Sequence, residues 1–499
     1  MSNSGIDCDV AIIGFGPVGA TLAGLLAVRG VRTVIVDREH EIYPLPRAAH
    51  VDHEILRIVQ ELGCADEMLA HMRPNLGMDF LTADHQVLLS MRSPGITTLG
   101  WPASVFINQP LFEAQLRQAV ARLGAVTRLG SGVAAIDTIG EGPDEHVRLT
   151  LEDGSTTTAR YVVGCDGARS FTRRALGIGS HDLQFEEPWL VVDLVIDQPV
   201  ATLPEFALQV CDPARPHTLV PMPAPRFRFE FMLLPGEDPA AMQAPEAVAA
   251  LTSGWLPEGA ATLERSAVYT FHGLIAVNWR VARVLLAGDA AHQTPPFLGQ
   301  GMCSGMRDAA NLAWKLHAVL HGADPALLDT YQQEREPHVR FIVQAAVDFG
   351  RLICTLDPVA AAARDDSMLA ARAVAPEAQD TSQGVPMPPL SGPAIGDGGG
   401  RPSYQPVIVE RRLDDLVGSR WLAITRGATD EAADWWQQRG AAVLTALDHP
   451  ELAALLDVVT AADGTAAQAV VVRPDRYVFG GAATLRELAH LAAPFLPAN

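Results

Sequence analysis

Apolar positions along the chain follow three rhythms. Short unbroken runs that stop at a glycine occur at Val10–Ile13, Tyr161–Val163 and Val284–Ala287, as strands buried on both faces of a parallel sheet require. Helical spacing governs Val18 to about Arg29, Asp52–Leu62, Leu111–Ala125 and a long stretch that starts near Met302; further helix runs to about Leu356. Alternation marks short segments between Met78 and Phe106, with Gly95, Gly100 and Pro102 as breakers, and the strand Arg226–Met232. In that strand Phe227, Phe229 and Phe231 alternate with Arg226, Arg228 and Glu230, so one face is core and the other open. The two arginines either serve that open face or form surface ion pairs.

These rhythms predict an α/β fold. A Rossmann-like nucleotide-binding domain spans 1–180 with a small β excursion at 78–106, an antiparallel β-sheet domain is inserted over 181–280, and 281–356 completes the first domain with long helices. Residues 357–403 are expected to be a linker, rich in Pro and Gly from 383 onward. Residues 404–499 alternate strands (WLAITR, AAVLTAL, AQAVVVRPDRYVFGG) with helices (DEAADWWQQRG, TLRELAHLAAPFL), a further α/β unit.

The first apolar run opens onto chemistry. Gly14, Gly16 and Gly19 follow it at G-x-G-x-x-G spacing: the first permits a tight turn, the second lets a pyrophosphate approach, the third lets the helix pack close to the strand. The helix offers its N-terminal amides to phosphates. Asp37, 18 residues past Gly19 and at the end of the second strand, sits where a carboxylate accepts hydrogen bonds from a ribose. In the next loop Arg47 is either a solvated turn residue or a pyrophosphate contact. At the second glycine stop, Asp166-Gly167 is either a plain turn or a cofactor-facing loop ahead of Arg169, Arg173 and Arg174. The third stop is the most specific. Gly288 frees the backbone, and Asp289 is the only acid in its turn, suited to the hydroxyls of a ribityl chain. Pro295 and Pro296 make a rigid wall without donors, Gly299 and Gly301 allow close approach, and the helix from Met302 offers its first amides to an anionic edge.

Composition narrows the partners. At 499 residues the chain exceeds a single core. Its net charge of −21 argues against a nucleic-acid or anionic-membrane surface, so a small anionic substrate would need a local Arg cluster. No apolar run reaches the roughly 18 residues that span a bilayer, and the start, MSNSGIDCDV, lacks the basic region of a signal peptide. The six cysteines are scattered without a C-x-x-C pair, which predicts no zinc site, no disulfide framework and a reducing, cytoplasmic setting.

Together the GFGPVG turn, the GCDGARS loop and the AGDAAHQTPPFLGQGMCSGMRDAANLAWKL block resemble the single-component, class A FAD-dependent aromatic hydroxylases of the para-hydroxybenzoate hydroxylase fold. PWLVVDL, CDPARP, RFEFMLLPGED and VYTFHGLIAVNWRVARVLLAGDAAH are most similar to the 3-(3-hydroxyphenyl)propionate hydroxylases among them, and the likeness runs from residue 8 to about 350. It implies FAD, its ADP part held by Gly14, Gly16, Pro17, Val18, Gly19, Asp37 and Arg38. Arg47 and Gln109 would meet its phosphates and ribityl region, Asp289 the ribityl chain or pyrophosphate, and the Gly301 and Met302 amides the pyrimidine edge, with Gly288, Pro296 and Gly299 also binding the cofactor. Asp166 is expected to matter for FAD and for the nicotinamide nucleotide. The family has no second glycine fingerprint, which leaves NADH against NADPH open. The reaction implied is hydroxylation of a small phenolic substrate, 3-hydroxyphenylpropionate-like, with NAD(P)H and O2 through a C4a-hydroperoxyflavin.

For catalysis the candidates are His272, Arg228 and Pro295; for lining the aromatic pocket, Trp189, Leu190, Thr218, Val220, Phe229 and Phe297. His292 reads as structural. Cys303 stands where para-hydroxybenzoate hydroxylase carries an Asn that touches the flavin, and reads as a small packing residue. Alternatives on the same scaffold are hydroxylation of a larger aromatic, a polyketide or an antibiotic; outside enzymes, the alternative is an FAD- or ligand-binding protein without turnover. Relatives often end in a thioredoxin-like domain. No cysteine follows Cys354, so that unit is expected to be structural or to make the contact of a homodimer.

Overall fold

The three glycine-stopped runs lie side by side. In a computed structural model, which describes all residues except 1–4, 46, 375–379, 382–386, 429–430 and 497–499, Cys8–Ile13 pairs in parallel with both Thr33–Asp37 and Thr156–Gly164. Val284–Leu286 adds in parallel beside Thr156–Gly164, and Val126–Leu129 beside Thr33–Asp37. Side chains of the first strand divide by alternation. Val10 and Ile12 enter the core shared with the helix Pro17–Val28, while Ala11 and Ile13 enter a second one under the hairpin Val133–Ile139/His146–Leu151. Both faces are buried, which is why the run is apolar without alternation.

A second sheet is built on Ser180–Ile196, which pairs antiparallel with Arg226–Met232 on one side and Ala261–Ala276 on the other. It continues through His217–Val220 and Ala207–Val210, and the last pairs in parallel with Gly77–Leu81, the hairpin partner of Val87–Arg92. The expected excursion at 78–106 is therefore corrected in part: its first two strands are the far edge of the second sheet. A two-stranded ribbon could not bury Phe80 and Leu88, both fully buried here, without that partner.

The stretch 357–403, expected as a linker, carries the helix Pro358–Val374, and Asp380–Thr381 pairs beside Ser90–Met91. The helix is rich in alanine and fully buries only Ala361, so its apolar face is faint in the sequence. Beyond it, Ala442–Thr445, Leu422–Thr425, Ala469–Val472 and Val478–Ala482 form a mixed sheet in that order, the first pair parallel and the others antiparallel. Trp421 of this unit meets Trp314 of the helix Gly301–Leu320 edge to face, with ring centroids 5.4 Å apart. The core is continuous across that contact. Among the described residues no helix is long and apolar enough to cross a membrane.

Candidate active site

The glycines of the first turn do different work. Gly14 has φ +103°, and a Cβ there would lie 2.5 Å from the carbonyl oxygen of Cys165, so the first turn rests directly on the second motif. A Cβ on Gly19 would sit 1.9 Å from the Gly14 oxygen, whereas one on Gly16 would meet nothing within 4 Å. Gly19 is thus required by the fold, while Gly16 borders open space of the kind a pyrophosphate needs. Asp37 takes the Phe15 amide at 2.6 Å on one oxygen and the Glu39 amide at 2.9 Å on the other, which fixes the acid beside the turn. Arg38 is exposed and paired with Glu39 at 3.3 Å. Pro17 starts the helix, and Val18 packs outward from it: a Cβ on Gly288 or Gly305 would come within 2.9 or 2.6 Å of its Cγ2. Gly305, which sequence reasoning passed over, lets the third motif close onto the first.

In the third motif Asp289 is exposed, and its carboxylate makes no hydrogen bond with the described residues. Asp308 is its opposite. It is fully buried, accepts from the Gly288 amide at 3.1 Å and Arg335 at 2.9 Å, and meets His292 Nε2 at 2.6 Å. Burial alone would raise its pKa, but His292 and Arg335 hold it below the ordinary carboxylate value. His292 is therefore structural, as its place beside the Gly-Asp turn suggests.

The helix Gly301–Leu320 begins without a side-chain cap, leaving its first amides to an external acceptor. Thr294 Oγ1, buried ahead of it, has no hydrogen-bond partner among the described residues. Met302 is partly buried against the main core, and Pro296 opens the short turn that ends at Gly299. Gly299 has φ +63°, and its carbonyl lies 3.2 Å from His50 Nδ1. Gln109 accepts the amides of Arg47 and Ala48 at 3.0 and 2.7 Å, tying the Arg47 loop to this side of the fold. The Cys303 thiol is buried and pushed up by that burial, so it is a packing group. Asp166 takes Ser170 Oγ on one oxygen and the Thr172 amide and hydroxyl on the other, so its carboxylate organises the helix Phe171–Ala175.

The second sheet decides which aromatic-pocket candidates can meet this site. Trp189, Asp193, Thr218, Val220, Arg228 and Glu230 share one face, and Phe271 and Tyr269 continue it on the neighbouring strand. Phe297 of the proline loop inserts there, with ring centroids 5.6 Å from Trp189 and 6.2 Å from Phe271. Pro295, two positions before it, is buried.

Three expectations are corrected by strand alternation. Leu190 and Phe229 point to the other face, into the cluster with Val192, Leu194 and Leu219 under the helix Pro245–Thr252. His272, opposite Glu186, also lies on that other side, one position out of phase with Phe271. The two arginines divide as well. Arg226 is a half-exposed partner of Glu264, but Arg228 is buried with Nε 2.7 Å from Asp193 and Nη1 donating to the Arg47 carbonyl at 2.8 Å. Arg265 closes on the same Asp193 at 2.8 Å. Burial pushes the Glu230 carboxyl up. Asp193 was legible in principle, as the one acid inside the apolar run WLVVDLVI.

Val18, two positions after Gly16, packs against Gly288 and Gly305, and a Cβ on Gly301 would lie 3.8 Å from Thr294, so the first turn, the Asp289 turn and the uncapped helix start are neighbours. Together they offer space for a pyrophosphate, an acceptor for hydroxyls and donors for an anionic edge, which fits FAD.

Residues 7–346 match the family model described as "FAD binding domain". The chain is 39% identical over 511 residues to a protein of Rhodococcus jostii (strain RHA1) named probable NADH-specific resorcinol 4-hydroxylase, covering 98% of this chain and 95% of that one. It is 34% identical to a 3-(3-hydroxy-phenyl)propionate/3-hydroxycinnamic acid hydroxylase of Burkholderia vietnamiensis (strain G4 / LMG 22486), over 94% and 92% of the two chains. Its fold is similar to that of aklavinone-11 hydroxylase solved with FAD and aklavinone, with a TM-score of 0.79 at 23% identity over the whole of both chains.

Proposed function

The chain belongs to the FAD binding domain family, as an FAD-dependent phenol monooxygenase, and from that premise we propose that its substrate is a small uncharged phenol of the resorcinol type and its reductant NADH. Bound FAD supplies electron transfer from the nicotinamide nucleotide and activation of O2. Gly14, Gly16 and the helix behind them hold its pyrophosphate, Asp37 its ribose, Asp289 its ribityl hydroxyls, and the Gly301 and Met302 amides its pyrimidine edge. Trp189, Phe271 and Phe297 hold the substrate ring and exclude water. Glu230, kept basic by burial, takes the phenolic proton and makes the ring more nucleophilic.

One observation carries the choice of an uncharged substrate. Of the three arginines on the pocket face, Arg226 is paired with Glu264, and the two buried ones, Arg228 and Arg265, are already paired with Asp193. A substrate carboxylate would compete with a buried carboxylate for them. The NADH preference is supported by the name of the Rhodococcus relative. The C-terminal sheet reads as a thioredoxin-like unit, supported by its mixed strand order, and the absence of cysteine after Cys354 makes it structural.

The test is nucleotide oxidation by the purified holoprotein with resorcinol, with 3-(3-hydroxyphenyl)propionate and with larger phenols, alongside product mass. The expected result is strong stimulation by resorcinol with NADH and a product heavier by one oxygen. Better coupling with the propionate would overturn the uncharged substrate. Peroxide alone would mark a substrate mimic.

A further inference from the structure

The helix Gly301–Leu320 is gripped by the C-terminal unit along one face. Arg307, Asn311, Trp314 and Lys315 stand on that face at helical spacing. Asn311 and Trp314 donate to Asp475 at 3.3 and 3.1 Å, and Lys315 pairs with Glu334, which is itself held by Arg473 at 2.9 Å. Nearer the helix start, the Tyr477 hydroxyl donates to Glu54 Oε2 at 2.6 Å. The other Glu54 oxygen takes Arg307 Nε at 3.0 Å, and Arg307 Nη2 donates to Asp52 at 2.5 Å. Its remaining arm, Nη1, donates to Gln300 Oε1 at 3.0 Å. Gln300 is the residue immediately before the uncapped first turn. All four links of this chain are buried, and Tyr477 stands 423 positions from Glu54 in the sequence.

We propose that Tyr477 is a positioning residue for the flavin: by fixing Glu54 it directs Arg307 onto Gln300 and so sets the helix terminus that meets the pyrimidine edge. This rests on the placement of the flavin ahead of Gly301 and Met302. Without the phenol, Glu54 is free to rotate and take two donors of the Arg307 fork, which draws the guanidinium away from Gln300. The first turn then loses the anchor that Arg307 gives Gln300, while the C-terminal fold keeps its apolar core.

The experiment uses full-length protein. Tyr477→Phe removes one hydroxyl, and the readouts are FAD dissociation constant, midpoint potential of the bound flavin and thermal midpoint of the apoprotein. Tyr477→Phe and Gln300→Ala are each expected to weaken FAD about fivefold or more and to shift the flavin potential. Their combination adds little, because both cut one chain. Gly301→Val is the gauge of placement and is expected to weaken FAD strongly. A silent Tyr477→Phe beside a responsive Gly301→Val overturns the proposal alone. If Gly301→Val is also silent, the flavin lies elsewhere, and the placement falls together with the proposal. If Tyr477→Phe does not fold, the cycle between Glu54→Gln and Gln300→Ala decides: additive effects on the flavin potential overturn the chain, and non-additive ones uphold it.

Discussion

Gly16 and Gly19 stand three positions apart in one turn, yet substitution at each is expected to fail in a different way. Gly19→Ala drives a methyl into the Gly14 carbonyl, so the apoprotein itself is destabilised by several kcal/mol, read as a fall in the thermal midpoint. Gly16→Ala meets no protein atom, so the apoprotein melts as before while FAD affinity drops, read by titration of flavin fluorescence. The Asp193 site makes an equally sharp prediction. Asp193→Ala leaves Arg228 and Arg265 buried without their shared carboxylate and should cost about 3–5 kcal/mol in denaturant unfolding. The spacing of the glycines was visible in the sequence, because a turn that needs positive φ or a missing Cβ admits little else. The partnership of Asp193 with two arginines was not, since it joins three strands whose register only the folded sheet defines.

Among elements, the two long helices Gly301–Leu320 and Asp329–Ile353 meet through charge as well as apolar packing. Burial opposes the Glu334 carboxylate, but Arg473 and Lys315 bring its pKa down to about 2 from an ordinary 4.5. A depressed folded-state value means the contribution is complete above pH 4.5 and lost as pH falls toward 2, an effect on the order of 3 kcal/mol. Unfolding midpoints in urea should fall across that window, and Glu334→Gln should give a lower but flatter profile there. A variant as steep as the parent would assign the acid sensitivity to other groups.

Element types were legible wherever the apolar rhythm was strong, as in Val10–Ile13 and the helix from Gly301. Two readings slipped for identifiable reasons. The helix Pro358–Val374 is mostly alanine and charged residues, so no face stood out. Leu190 and Phe229 were apolar residues in pocket strands, but a strand offers two sides, and the helix Pro245–Thr252 that covers theirs lies outside the motif.

At the scale of the molecule, the C-terminal unit is bolted to the N-terminal third as well as to the long helices. Arg57 donates to both oxygens of Asp414, at 2.6 and 2.9 Å, and to the Ser403 carbonyl, and Arg476 approaches the same Asp414 at 3.4 Å. Calorimetry of the full chain should show one cooperative transition; a resolved early transition for residues 404–496 would contradict the interface drawn here. Removing residues after 403 strips the partners from Arg57, Tyr477's acceptor Glu54 and the Trp314 face at once, and the shortened chain should aggregate.

The strand order of the first sheet also sets a timetable. A ribosome delivers the glycine turn within the first twenty residues, but the carbonyl beneath Gly14 belongs to Cys165, and the neighbour of Thr156–Gly164 arrives only with Val284–Leu286. Chain growth at about 5–20 residues per second therefore leaves the fingerprint translated long before it can hold anything. Flavin loading should therefore wait for Val284–Leu286, and chains ended before that strand should purify colourless despite an intact G-x-G-x-x-G, which the flavin absorbance band would check.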